Sequence, residues 1–525
     1  MTPARNLLAF LVLLALILLG QWQAGAYQAE FLQDPDESAH YVTGLMVHDY
    51  LAAGLPWPPM DFARRFHQHY PRVGLGHWPP FFYIVESAWM LAAGVDRTSI
   101  LLLVATIAAL WAVLCLNLFQ RFLGPFESWL AVLFMLATPE VLRASRMVMT
   151  EILIALLTLA AIWTLHKLFE QPGWRWSVAF GLIASAAILT KGTGVLLAPL
   201  PILAALTLRR WDLLKSPWFW LPGLIVAALC GPWYAFAPYA LHEKAAPFGG
   251  PRLRQYRILE FIHYWSSQLS WAGLALAFAG WSRTALRIFR GEEKSPFWTL
   301  ILWIIPAAWG FHLIIGAWHP RHLVTLSPVL LLFAAAGARW ISASLLPRPR
   351  VVAGIVAALA LFFAVQHVAA NRHKSHRGFD IVAQRILQDP DLAGKRLLVV
   401  SDSAGEGAFV AEVAMRDKRL GRTVQRGYQD LTVYGTNGRG TIGRAASPRF
   451  MTPEETMNHF REHLDTVLIL DSTASGMVNG KLVGEMLAKF PSQWRELFQY
   501  QGEYSPRVHQ KVLIRVFVPV DVLAH

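Results

Sequence analysis

Residues 99–119 read SILLLVATIAALWAVLCLNLF, an apolar stretch without a single charged side chain. Its length matches the roughly 20 residues that a helix needs to cross the hydrocarbon core of a bilayer. Comparable stretches recur from residue 7 to residue 369, and they include Leu7–Gly20, Ile152–Leu165, Trp218–Ala237, Phe297–Ile315, Leu323–Ala336 and Val351–Val368. The sequence therefore predicts a multi-pass α-helical membrane protein.

The composition agrees with this prediction. Only 15% of the 525 residues are charged, against about 25% in soluble domains. The net charge of +13 could indicate nucleic acid, but the Lys and Arg residues are scattered over short loops between apolar runs. That distribution suits phospholipid headgroups, so we expect membrane lipids and no nucleic acid among the partners. The only two cysteines, Cys115 and Cys230, lie in apolar runs and exclude a disulfide framework.

About eleven spans satisfy the rule that cytoplasmic loops are rich in Lys and Arg. The basic segments placed inside are Arg5, Arg121, 167–175, 209–215, 283–294 and 339–350. The spans then alternate if Phe81–Gly94 does not cross; it is short, contains Glu86 and has the length of a re-entrant or interfacial helix. The extracytoplasmic stretches are 27–98, 139–150, 238–265 and 317–322. The run Leu7–Gly20 could also be a cleaved signal peptide, but the later runs already require a membrane-inserted start.

The chain divides into a membrane module, residues 1–370, and a soluble domain, residues 371–525. Beyond Val368 the charge becomes dense and no spanning run follows. Strands are predicted at 395–402, 466–471 and 511–518, and helices at 407–418, 452–464 and 481–490. This alternation predicts a small α/β domain, which the topology places outside the cytoplasm. Gly438–Gly443 fits a dinucleotide-binding pattern, but no convincing strand precedes it and Pro448 interrupts the helix that should follow.

The first extracytoplasmic loop opens with a helix start, Asp34-Pro35-Asp36-Glu37. Asp34 suits the N-cap, Pro35 the first helical position and Glu37 the return contact of a capping box. Asp36 and His40 then share one face of the helix. These acids could simply stabilise the helix N-terminus. The polar motifs that follow further along the chain favour an additional, chemical use.

Those motifs are HWPPFFY at 77–83, Arg143-Ala-Ser-Arg146, Thr150-Glu151, Thr190-Lys191-Gly192, Gly231-Pro-Trp-Tyr234 and His319-Pro-Arg321-His322. Their order over residues 1–345 resembles the GT-C glycosyltransferases related to protein O-mannosyltransferases and to the lipid A aminoarabinose transferase. The resemblance implies a sugar donor carried on a polyprenyl phosphate, and an acidic residue of the first loop that faces the anomeric carbon. It also implies a bacterial plasma (inner) membrane and an undecaprenyl carrier.

Matched motif by motif, the leading acid is Asp36, with Glu37 as its neighbour. The later acidic position, commonly Asp in that family, is Glu151, and His322 replaces the usual aromatic residue after the final arginine. In an inverting transfer a carboxylate must accept the proton of the attacking hydroxyl, and Asp36 is the candidate base. The catalytic candidates are thus Asp36, Glu37 and Glu151.

A departing lipid phosphate gains negative charge, which Arg and Lys donors stabilise. The candidate donor-phosphate ligands are Lys191, Arg321, Arg143, Arg146, Arg252, Arg254 and Arg257. Snorkelling to lipid headgroups is an alternative role for the group at 252–257. Arg143 and Arg146 share a helix face and could instead hold Glu151 or Asp36 as an ion pair.

Four further side chains, His40, His77, Tyr83 and His322, are expected to support the acceptor and the first loop. The histidines at 40, 77, 319 and 322 could also hold a divalent metal together with Asp36 and Glu37. Their spacing matches no recognised ligand motif, so hydrogen bonding is the simpler role and no metal ligand is assigned.

The sequence thus predicts a glycosyltransferase that moves a hexose or pentose from a polyprenyl-phosphate donor to an extracytoplasmic protein, lipid or glycan acceptor. A transporter or flippase of lipid-linked or anionic solutes is the alternative, although the charged motifs lie at span ends and no inverted repeat is visible. A third hypothesis is a non-catalytic scaffold whose soluble domain binds a partner.

Overall fold

The structure of the protein is a computed structural model. It describes residues 2–74, 76–236, 256–315, 319–345, 349–370, 373–417, 420–436, 442–463, 465–505 and 510–520.

The described residues up to 370 are mainly helical, and many of the helices begin at proline, whose fixed φ suits the first turn. They are α1 (Pro3–Gln23), α2 (Pro35–Ala52), α3 (Pro59–His69), α4 (Phe81–Ala93), α5 (Arg97–Phe119), α6 (Pro125–Ala137), α7 (Pro139–Ala144), α8 (Glu151–Glu170), α9 (Trp174–Thr190), α10 (Leu200–Thr207), α11 (Trp211–Leu214), α12 (Pro217–Phe236), α13 (Tyr256–Phe289), α14 (Pro296–Ile315), α15 (Ser327–Leu345) and α16 (Pro349–Ala370).

Five described segments are long and apolar enough to cross a membrane: Pro3–Gln23, Arg97–Phe119, Glu151–Glu170, Pro217–Phe236 and Pro320–Ser342. Shorter apolar helices include α4, α6 and α9. The helical membrane architecture is therefore confirmed, while the count of about eleven spans stays a prediction.

Helix α1 is an integral part of the helical bundle. Its leucines at 7, 8 and 11 are exposed, as expected for a face turned to lipid, while its other face packs against α5. The buried Gln21 amide donates to the carbonyl oxygens of Leu101, at 3.0 Å, and Ser145, at 2.7 Å. These bonds join three segments of the membrane module beside the first loop.

Helix α4 has 13 residues and spans only about 20 Å, which agrees with the predicted interfacial or re-entrant segment. It packs on α2, where Gly44 allows the close approach: a Cβ at residue 44 would lie 2.1 Å from Glu86 Oε2. Glu86 is fully buried, and neither of its carboxyl oxygens has a hydrogen-bond partner among the described residues.

The C-terminal domain contains a five-stranded sheet in the order β2-β1-β5-β7-β6. Its strands are β1 (Arg396–Val400), β2 (Thr423–Arg426), β5 (Thr466–Asp471), β6 (Trp494–Ser505) and β7 (Gln510–Pro519), and a separate antiparallel pair is β3 (Thr432–Thr436) with β4 (Ile442–Pro448). Strands β2, β1 and β5 are parallel, and β7 and β6 extend the sheet antiparallel. The main helices are α17 (Phe379–Gln388), α18 (Ser403–Arg416), α20 (Pro453–Arg461) and α21 (Val478–Lys489), with a single turn, α19 (Gly427–Asp430).

The three predicted strands and three predicted helices of this domain all occur, within a few residues of the expected bounds. Strands β2, β3, β4 and β6 and helix α17 were not predicted. β2 is only four residues long, and β6 is an edge strand with many polar side chains, so neither shows a clear apolar pattern. Of the Gly438–Gly443 pattern, residues 438–441 lie outside the described residues, and Ile442 and Gly443 belong to strand β4.

The C-terminal domain docks on the first loop of the membrane module. Helix α18 packs against α2, where a Cβ at Gly407 would lie 2.3 Å from Ser38 Oγ. Glu412 of α18 forms a buried ion pair with Arg97 at 2.5 Å. The buried Glu30 accepts hydrogen bonds from the backbone N–H groups of Gly378, at 2.6 Å, and Phe379, at 2.7 Å. The domain is thus held against the helix that carries Asp36.

Candidate active site

Six charged side chains from five segments meet where the first loop joins the helical bundle. We call them the charged cluster: Asp34, Asp36, Arg143, Glu151, Lys191 and Arg321. They lie at the start of α2, in α7, at the first residue of α8, directly after α9 and in the 3₁₀ turn Pro320–Leu326. Residues up to 287 positions apart in sequence are therefore brought together.

Arg321 is the central cation of the charged cluster. Its Nη2 lies 2.9 Å from Asp36 Oδ2, and its Nη1 lies 3.4 Å from Asp34 Oδ1. On the other side, Lys191 Nζ donates to Glu151 Oε1 at 2.5 Å. Arg143 Nη2 donates to Asp34 Oδ2 at 3.0 Å. Three carboxylates and three cations thus form one connected network.

Local helix starts orient the acids of this network. Asp34 caps α2 as predicted, because its Oδ1 accepts from the N–H of Asp36 at 3.1 Å. Glu151 is the first residue of α8, where the helix dipole favours a carboxylate. Arg321 follows Pro320 in its turn, and the imidazole of His319 caps that turn by accepting from the N–H of Arg321 at 3.3 Å.

Lys191 is positioned by the break between α9 and the 3₁₀ turn Gly192–Leu197. Its backbone is extended (φ −156°, ψ 138°), so the helix ends there. The turn folds back tightly on α9: a Cβ at Gly194 would lie 2.6 Å from the carbonyl carbon of Ala187. Only glycine tolerates that approach, and the tight turn holds the ammonium group against Glu151.

Asp36 and Glu37, the neighbouring acids of the first loop, lie in different environments. The Asp36 side chain is 30% exposed, whereas the Glu37 side chain is completely buried. Glu37 Oε1 pairs with Lys374 Nζ at 2.7 Å. Its Oε2 accepts from the N–H of Gln33 at 3.2 Å, one residue before the position expected for a capping box. The structure therefore does not bring Glu37 together with the charged cluster.

Asp36 is held in its ionised form by its neighbours. Burial raises the pKa of its carboxyl group, but the positive charge of Arg321 and the contribution of His40 outweigh burial and leave the pKa below its ordinary value. Burial also lowers the pKa of His40 to about 4, so its imidazole is neutral near pH 7. His40 Nδ1 lies 2.8 Å from the Tyr83 hydroxyl.

The remaining predicted residues surround this arrangement. The His40 ring contacts that of Trp78, with centroids 4.4 Å apart, and His77 meets the same Trp78 ring edge-on at 4.6 Å. The ring of His322, next to Arg321, stacks on that of His312 at 4.9 Å. His40, one helical turn after Asp36, thus forms a hydrogen-bonded aromatic pair with Tyr83.

The candidate histidine metal site is not assembled in the part of the chain that the structure describes. The one group of three or more ligating side chains close enough to share an ion there is Glu30, His376 and Asp380. Its geometry is explained without a metal, because Glu30 accepts three backbone N–H groups and His376 Nε2 lies 3.0 Å from Asp380 Oδ1.

The other candidate cations have separate positions. Arg143 forms an ion pair with Asp34, and its Nη1 lies 3.9 Å from Glu140 Oε2. Arg146 is buried beside α1, with its guanidinium close to Gly20. Arg252 and Arg254 lie outside the described residues, and for Arg257 the structure describes only its place in helix α13.

The structure also adds two residues that the sequence reasoning missed. Asp34 was expected only to cap α2, yet it also pairs with Arg143 and Arg321. Lys374, at the start of the C-terminal domain, was assigned no role and pairs with Glu37. Nothing in the local pattern around either residue indicates these long-range partners.

Known proteins share this architecture. A sequence profile of the dolichyl-phosphate-mannose-protein mannosyltransferase family matches residues 77–236, while no curated protein sequence matches the chain. The crystal structure of ArnT from Cupriavidus metallidurans bound to undecaprenyl phosphate is similar with a TM-score of 0.59 and 15% identity, covering 96% of this chain and 97% of ArnT.

The archaeal oligosaccharyltransferase AglB from Archaeoglobus fulgidus, in complex with an inhibitory peptide and a dolichol-phosphate, is similar with a TM-score of 0.51 and 12% identity. That match covers 97% of this chain and 74% of AglB. At such identities the likeness concerns the fold, and activity has to be argued from the site. The resemblance drawn from the sequence is thereby confirmed at the level of the fold, which this chain shares with ArnT and AglB.

Proposed function

We propose that the protein is a membrane glycosyltransferase that moves a sugar from a polyprenyl-phosphate carrier to an acceptor outside the cytoplasm. The observation that carries the proposal is the charged cluster, in which an accessible carboxylate, Asp36, adjoins Arg321, while Lys191 is held by the neighbouring Glu151. An inverting transfer to a hydroxyl needs this combination of a base and cationic donors for a leaving phosphate.

In this reaction Asp36 accepts the proton of the acceptor hydroxyl. The hydroxyl oxygen forms a bond to the anomeric carbon as the bond from that carbon to the phosphate oxygen breaks. The electron pair of the broken bond leaves with the polyprenyl phosphate. Attack from the face opposite the phosphate inverts the anomeric centre.

Arg321 and Lys191 are the proposed ligands of the donor phosphate. Arg321 Nε is buried and lies 3.4 Å from Glu151 Oε1, but the bond is not aligned, and this N–H has no hydrogen-bond acceptor among the described residues. Lys191 donates one of its N–H groups to Glu151, and an ammonium group has three. Both cations therefore keep donors for a phosphate. Glu151 holds them in place, and Arg143 orients Asp34.

The side of the membrane follows from the topology predicted by the basic loops. The charged cluster lies at the end of the helical bundle that the C-terminal domain covers, and the basic side chains of Arg283, Arg287 and Arg339 lie at the other end. The positive-inside rule assigns the second end to the cytoplasm. We therefore place the transfer and the C-terminal domain on the extracytoplasmic side of a bacterial inner membrane.

The test uses the purified full chain with undecaprenyl phosphate bearing radiolabelled mannose, glucose or aminoarabinose, and with bacterial envelope membranes as acceptor. We expect at least one donor to release undecaprenyl phosphate and to label the acceptor. If no donor is consumed while sealed vesicles containing the protein move the intact lipid-linked sugar across the bilayer, the protein is a transporter and the proposal is wrong.

The pH dependence tests the pairing of Asp36 with Arg321. Removing the cation raises the pKa of Asp36, so the base becomes protonated at a higher pH. We expect Arg321→Gln to move the acid limb of kcat/KM to higher pH, whereas Arg321→Lys keeps the charge and moves it much less. Arg143→Gln is the matched control, because Arg143 pairs with Asp34 and Glu140. An acid limb unchanged in Arg321→Gln would contradict the pairing.

A further inference from the structure

A second basic site lies at the opposite end of the helical bundle from the charged cluster. Arg321 precedes the start of α15 at Ser327, and Arg339 follows that start by twelve residues, or about 18 Å along the helix axis. His312 of α14 stacks on His322 near the charged cluster, whereas Trp298 lies at the other end of α14. The two sites are therefore separated by most of the membrane module.

This end contains a cavity of about 370 Å³ between α13, α15 and the turn that follows α5. We call it the distal cavity, and the lining residues that matter here are Arg283, Arg287, Glu293, Trp298, Arg339 and Trp340. Small-molecule sites typically measure about 300–1,000 Å³. The volume is sufficient for the polar headgroup of a lipid.

The distal cavity carries an excess of positive charge. Arg287 Nη2 lies 3.5 Å from Glu293 Oε2, which is the only acidic side chain in the lining described for this cavity. Arg339 Nη1 donates to the carbonyl oxygen of Phe122 at 2.6 Å, a bond that neutralises no charge. Arg283 lies over the Trp340 ring, 5.1 Å from its centroid. Two guanidinium charges thus have no carboxylate in the lining to neutralise them.

Basic side chains at this end also satisfy the positive-inside rule, which needs no ligand. That rule does not explain why three arginines from two helices line one concavity. Like charges repel, and freely snorkelling arginines would separate into water. Here Trp340 holds Arg283 in place and the Phe122 carbonyl holds Arg339, so their remaining N–H groups are pre-arranged for a bidentate anion.

We infer that the distal cavity binds the phosphate headgroup of an anionic membrane lipid. Guanidinium groups match phosphate oxygens in geometry and charge. Basic pockets between spanning helices on the cytoplasmic side are suited to anionic headgroups, and the indole rings of Trp298 and Trp340 suit the membrane interface. This inference concerns a site remote from the charged cluster and does not rest on the proposed transferase activity.

Native mass spectrometry of the purified full chain tests the inference with dioctanoyl phosphatidylglycerol as probe. Dioctanoyl phosphatidylcholine, whose headgroup has no net charge, is the ligand control. We expect the double variant R283Q/R339Q to weaken phosphatidylglycerol binding by about tenfold or more, since it removes two charge-assisted contacts. The matched control is Arg290→Gln, an exposed arginine of the α13 end that does not line the cavity.

The outcomes separate the sources of the phosphate. Equal affinity for phosphatidylglycerol in R283Q/R339Q and in the unaltered protein overturns the inference, as does equally strong binding of phosphatidylcholine. Competition by inorganic phosphate at the affinity of the lipid overturns the assignment to a lipid. With undecaprenyl phosphate as probe, loss of one of two bound copies in R283Q/R339Q supports a headgroup site that also accepts the carrier. Melting temperatures of the variants verify that the fold is intact.

Discussion

Asp36→Asn is expected to lower kcat for sugar transfer by about 10²–10⁴-fold, the usual contribution of a general base. The amide has the same shape as the carboxylate but accepts no proton, so donor binding should change far less than turnover. Asp36 is 30% exposed, and Arg321 keeps the carboxylates of Asp34 and Glu151 nearby, so the substitution leaves no buried charge without a partner. The measurement is release of undecaprenyl phosphate from the donor that proves active.

The control for this substitution is Asp61→Asn. Asp61 lies in α3 of the same loop, and its ion pair with Arg64 is exposed to solvent, where such pairs contribute little. We expect full activity in this variant. The residual activity of Asp36→Asn should no longer show the acid limb of the unaltered enzyme. Equal turnover in Asp36→Asn and the unaltered chain would remove Asp36 as the base and direct attention to Glu151.

Lys374→Met is expected to destabilise the protein by about 3–5 kcal/mol, the typical cost of removing one partner from a buried ion pair. Lys374 and Glu37 are both almost completely inaccessible, so Glu37 would remain unpaired in a low-dielectric environment. Burial already raises the pKa of Glu37. The loss should therefore be smaller at low pH, where the unpaired Glu37 can take up a proton, and larger at high pH.

Thermal unfolding of the purified full chain in one detergent measures this effect. The double variant Glu37→Gln with Lys374→Met should recover much of the loss, because no buried charge remains; the non-additivity is the signature of direct contact. Lys481→Met, a substitution of an exposed lysine in the same domain, should be nearly neutral. If Lys374→Met proves as mild as Lys481→Met, the buried pair does not tie the C-terminal domain to the first loop.

The contact between Lys374 and Glu37 also connects the C-terminal domain with the proposed base. Glu37 directly follows Asp36, and the next residue, Ser38, contacts Gly407 of α18 where that helix packs on α2. The domain thus positions the helix that presents the proposed base.

The membrane architecture could be predicted from the sequence because lipid imposes a simple rule. A spanning helix must satisfy its own backbone and present apolar side chains over about 20 residues, so the signal is local and long. The sequence signal for the start of α2 was equally local, because Asp34 and Pro35 act within one helical turn. The strands of the C-terminal domain with buried, apolar sequences were predicted, whereas the polar edge strand β6 was not.

The amino-acid sequence by itself determined the helical membrane architecture, the start of α2 and the residue types available for acid, base and phosphate chemistry, since these depend on neighbours within a few positions. Only the tertiary structure decided which charges meet. Arg321 pairs with Asp36 and Asp34, and Lys191 pairs with Glu151. Glu37 pairs with Lys374 instead and lies outside the charged cluster. Ion pairs act over a few ångströms, and the packing of helices distant along the chain is what brings those atoms within reach.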